Sequence, residues 1–71
     1  MSEMVKEWTI QMLDNELKEI EGSISNVELW IAGSELEEDI AAHKQTLENM
    51  LEYKALLQNL RKKAEEGTLD A

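Results

Sequence analysis

The sequence predicts an all-α protein: one antiparallel two-helix hairpin, with helices over about 3–32 and 35–66 and a turn at Gly33-Ser34. Three observations carry this. Proline is absent, so nothing forbids long helices. Apolar residues recur at alternating steps of three and four, the spacing that lines one helix face. The signals that stop and start helices coincide at one place near the middle of the chain.

The first helix is read from its stripe. Ile10, Leu13, Leu17, Ile20, Ile24, Val27 and Ile31 keep the three–four spacing without a reset. The stripe runs straight past Gly22. That glycine is expected to ride inside the helix on the opposite face, at a cost of roughly 1 kcal/mol relative to alanine. Ser25 and Glu28 offer the alternative. Behind a glycine they have the spacing of a capping box, which would bend or restart the helix near 22–26.

The turn follows. Gly33 stands just past the stripe, where a left-handed C-cap is wanted. Ser34 and Glu37 make a second capping box. Glu35, Glu37, Glu38 and Asp39 then crowd a first turn, where negative charge suits the helix dipole.

The second helix is expected to bury Leu36, Ile40, His43, Leu47, Met50, then Tyr53 or Lys54, Leu57 and Leu60. Read this way, its pattern slips near 50–54, like a coiled-coil discontinuity. Arg61, Lys62 and Lys63 sit near the C-terminal end, where cations are favoured. Gly67 is the natural stop, and 67–71 reads as a flexible tail of a single 1–71 domain. Each helix should span about 45 Å at ~1.5 Å per residue. So short a turn makes the helices antiparallel. The expected cross-pairs are Ile31 with Leu36, Val27 with Ile40, Ile24 with His43, Ile20 with Leu47, Leu17 with Met50 and Ile10 with Leu57.

Gly33 followed by Leu36-Glu37-Glu38 resembles the turn of the exonuclease VII small subunit, over the turn alone. Length and hairpin form are similar to those of small type III secretion co-chaperones. The Trp-x-Gly bend of secreted hairpins is absent, because two residues separate Trp30 from Gly33. No residue role is transferred from these resemblances.

Composition bounds the function. A 71-residue chain buries only about 60% of its unfolded surface and is marginal without a staple. Cysteine is absent, so neither a disulfide nor a thiolate metal site is available, which fits a reducing, cytoplasmic setting. The start, Met1–Trp8, lacks the basic segment and apolar run of a signal peptide. No apolar stretch approaches the roughly 20 residues of a membrane span. Sixteen acidic residues against seven basic ones give a net charge of −9. That argues against nucleic acid and anionic membranes as partners. It is compatible with a basic protein partner, with nucleic-acid mimicry, or with plain solubility.

The chain carries more apolar residues than one seam can use. Val5, Trp8 and Met12 recur at i, i+3 and i+7 on the face of helix 1 away from the seam, with Met4 beside them. Leu29 continues that face and Trp30 stands at its edge. The second helix has Leu51, Leu56, Ala41, Ala42 and Ala55 to spare. Such a surplus marks a contact surface, and Met and Trp suit helix docking. Two uses are open: self-association into a dimeric four-helix bundle, or docking of an amphipathic anchor on a different protein. Met4, Val5, Trp8, Met12, Leu29 and Trp30 are the candidate partner-binding residues.

Catalytic chemistry is poorly supplied. His43 is the only histidine, one turn after Asp39. A metal site needs three or four ligands, and no second His or any Cys exists. The acidic run lacks the calcium-loop pattern. No nucleophile–base pair and no glycine-rich phosphate loop are present. The expectation is a non-enzymatic protein-binding module without cofactor or metal: an adaptor, a chaperone-like subunit or an inhibitor of a larger protein. The alternative is an oligomeric binder of a small anion or nucleotide. Its pockets would lie between subunits, with His43, Tyr53, Arg61, Lys62 and Lys63 as the polar contacts. A structural spacer is a third.

Overall fold

In the computed structural model residues 2–67 are described. They form two helices, α1 over Glu3–Gly33 and α2 over Glu37–Glu66. The helices lie side by side as an all-α hairpin, a flat rod of 51 × 18 × 10 Å. The expected tail residues 68–71 lie outside the described residues.

Local chemistry sets each helix end. Ser2 is the N-cap of α1: its Oγ accepts from the Val5 amide at 3.3 Å, and its carbonyl accepts from the Lys6 amide at 2.9 Å. The first satisfies an amide that a helix start leaves orphaned, and the second is the first regular bond of the helix. At the far end α2 stops at Gly67, as expected. Its φ of 74° is left-handed, and its amide reaches back to the Lys63 and Ala64 carbonyls.

The turn differs from expectation. Gly33 is the last helical residue of α1 and is not left-handed; Gly67 is the only glycine with positive φ among the described residues. The connection is Ser34-Glu35-Leu36 in extended backbone. Ser34 does not cap α2. Its hydroxyl donates to the Trp30 carbonyl at 2.7 Å, closing the end of α1 instead. Leu36 holds the N-cap position of α2, and its side chain makes no capping bond. A serine between two helices can serve either one, and here it bonds back within the helix it ends. Gly22 stays inside α1, exposed, so the Ser25–Glu28 restart does not form.

The seam on α1 is the expected stripe, with Ile24 and Val27 buried and the other members half-buried. On α2 two expectations are corrected and one open choice is decided. Leu36 is 64% exposed and outside the seam. Lys54, not Tyr53, occupies the inner position. The slip near 50–54 does not exist: Ile40, His43, Leu47, Met50, Lys54, Leu57, Arg61 and Ala64 keep the three–four spacing, and all are half-buried or buried. Lys54 and Arg61 line the seam with their aliphatic stems while their charged heads reach outward. Lys54 Nζ meets Glu21 Oε1 at 3.6 Å, and the Arg61 guanidinium meets Asp14. Ala64, fully buried, completes the row.

The pairing register moves as well. The ring against His43 belongs to Trp30, with centroids 5.7 Å apart, where Ile24 was the expected neighbour.

Candidate protein-docking surface

The surface is best built from what the seam leaves outside. Val27 is 1% exposed, whereas Met4, Val5, Trp8, Met12, Leu29 and Trp30 are 47–80% exposed. Every residue predicted to be surplus on α1 is therefore bare in the single chain. Val5, Trp8 and Met12 share one outward stripe of α1 with Leu29. The stripe itself has three–four spacing: Val5, Trp8, Met12, Asn15, Glu19, Gly22, Asn26, Leu29. It is apolar at both ends and polar or small in between. Trp30 lies at its edge, where its indole tilts 52° against the His43 ring.

The outward face of α2 has no such stripe. Leu51 and Leu56 are about half exposed. Five residues apart, they do not share a helix face. Tyr53 is tied sideways, its hydroxyl donating to Glu16 Oε2 at 3.4 Å. The coherent apolar surface belongs to α1.

The alternative polar set is not gathered within one chain. His43 and Arg61 are eighteen positions apart on α2, or about 27 Å at ~1.5 Å per residue. His43 sits in the seam at the loop end, and no hydrogen bond or ion pair joins it to Asp39. Arg61 is engaged by Asp14 across the seam and by Glu65 one turn on. The hydrogen bond from Asp14 raises the Arg61 pKa further, against the lesser opposing effect of desolvation, so the guanidinium stays charged. Lys62 and Lys63 lie exposed at the open end. The described residues enclose no pocket, and no three His or acidic side chains among them are placed to hold a metal ion. None of the described helices is long and apolar enough to cross a membrane.

The sequence offers Lys54 as one of two seam candidates and shows the bare stripe, but hides the seam roles of Arg61 and Ala64. The signal is present: both continue the three–four count from Leu47, Met50 and Lys54. It is obscured because one is charged and the other is small. No family model matches the chain, and no curated protein or solved structure is significantly similar to it.

Proposed function

We propose that the chain is a non-enzymatic protein-binding module, serving as an adaptor, a chaperone-like subunit or an inhibitor of a larger protein. It works through the outward apolar face of α1. One observation carries this reading: Met4, Val5, Trp8 and Met12 form an exposed cluster on a helix whose other face already has its own seam. A monomer leaves scattered apolar residues in water, but a cluster of Trp and Met on one helix face is the composition of a docking anchor. The acidic surface is consistent with it.

The test is recovery of a binding partner from source-cell lysate by immobilised wild-type chain, Trp8→Ala and Met12→Ala. Both variants should keep the helical circular dichroism of the wild type, because neither residue touches the seam. Both should recover the partner several-fold less, as loss of an interface anchor costs roughly 1–2 kcal/mol or more. Equal recovery by all three proteins would remove the α1 face from the function.

A further inference from the structure

We propose, resting on the docking role given to this face above, that in the free protein, with no larger partner bound, its occupant is a second copy of the chain, with the two α1 helices packed antiparallel about a two-fold axis. The single hairpin is thin, and its buried core among the described residues is only Ile24, Val27, Leu57 and Ala64. So small a core leaves the chain marginal alone, and self-association is a staple open to it. The available area fits a dimer. Taking roughly 200 Å² for a large apolar residue, the six exposed α1 residues present on the order of 700 Å² per copy, near the ~800 Å² per partner of a standard interface.

The layout of the stripe selects the antiparallel arrangement. Its apolar residues cluster at the two ends of α1, and a two-fold axis across the polar middle brings each end against the other end of the partner. In the register that sets Val5 beside Leu29 of the second copy, Met12 falls over Gly22 and Asn15 over Glu19. A side chain seats on the notch that glycine leaves, and an amide meets a carboxylate in place of two carboxylates meeting. A Cβ at Gly22 touches nothing within the single hairpin, so the hairpin itself does not require glycine there.

The chain's lack of cysteine makes the test clean. The probes are the wild type and four variants: Val5→Cys, Leu29→Cys, the double variant, and Gly22→Ala. Positions 5 and 29 lie about 36 Å apart along one straight helix at ~1.5 Å per residue, so no disulfide can close within a chain. Under mild oxidation the double variant should give a covalent dimer at least tenfold faster than either single variant. Cross-linking by either single variant as fast as by the double one would overturn the antiparallel pairing. Sedimentation equilibrium of the wild type should show a dimer that tightens as salt rises, since two chains of charge −9 repel and the contact is apolar. Association that weakens with salt would mean an ionic contact and overturn it as well. Gly22→Ala should raise helicity in dilute solution yet weaken dimerisation about tenfold by overfilling the notch. Tightened dimerisation in that variant overturns the register. A wild-type monomer at hundreds of micromolar rules out the second copy, and the Trp8→Ala and Met12→Ala recoveries still decide separately whether the face docks another protein.

Discussion

The two faces of α1 share one spacing and have opposite fates. The inner stripe, Ile10 to Ile31, meets α2 and is buried or half-buried. The outer stripe, Val5 to Leu29, repeats the same steps of three and four and ends in residues 47–69% exposed. The difference lies in how continuous the apolar character is. The inner stripe has no polar member across three heptads. The outer one is interrupted by Asn15, Glu19, Gly22 and Asn26. The continuous stripe finds its cover within the chain, whereas the interrupted one is left exposed in the single hairpin.

The largest expected effect breaks the comparison directly. Val27 and Leu29 lie two residues apart on α1 but face opposite ways, 1% and 69% exposed. Val27→Asp places a charge in the seam, where the effective penalty is several kcal/mol. It should abolish most of the helical signal at concentrations where the wild type is folded. Leu29→Asp should keep the hairpin and lose only association. Circular dichroism across a dilution series reads both. If the two variants lose helicity together, the hairpin does not stand without its partner layer, and the division into inner and outer faces is one of degree.

How much of this was legible in the sequence follows the same line. The α1 seam, the continuity through Gly22, the stop at Gly67 and the surplus α1 residues all came from spacing, because in each case residue type and environment agree. The α2 seam is harder to read where type and position disagree. Lys54 and Arg61 look like surface residues, yet their stems occupy inner positions while Glu21 and Asp14 take their charges. Leu36 looks like a core residue, yet it stands in the connection. Ser34 had two possible helices to serve, and a capping spacing cannot say which.

A smaller effect sharpens the reading of the α2 seam. Replacing Lys54 with leucine keeps the three–four row and removes a charge whose side chain is 31% exposed. The ion pair with Glu21 is solvated and contributes about 0–1 kcal/mol. Leucine keeps the four side-chain carbons of the lysine stem, and releasing a charge held at the edge of the seam should outweigh the lost pair. Lys54→Leu is therefore expected to raise the thermal midpoint by several degrees. A lowered midpoint would show that the Glu21 contact, not the lysine stem, is what the seam uses there.

The smallest effect concerns Leu36 and has the opposite sign from the one its residue type suggests. As a seam leucine it would lose about 2–5 kcal/mol on truncation. It stands instead at the N-cap of α2 with backbone φ −89° and ψ 129°, 64% exposed, and its side chain caps nothing. Leucine is among the poorer N-cap residues, and a serine hydroxyl there can accept from the amides of the first turn. Leu36→Ser should thus stabilise the hairpin by about 0.5–1 kcal/mol, read as a shift in the urea midpoint at unchanged slope. Destabilisation by more than about 1 kcal/mol would place Leu36 in a contact that the single chain does not contain, since surface changes rarely exceed about 0.5 kcal/mol. The apolar surface at the loop end, with Leu29 and Trp30, would then extend through the connection itself.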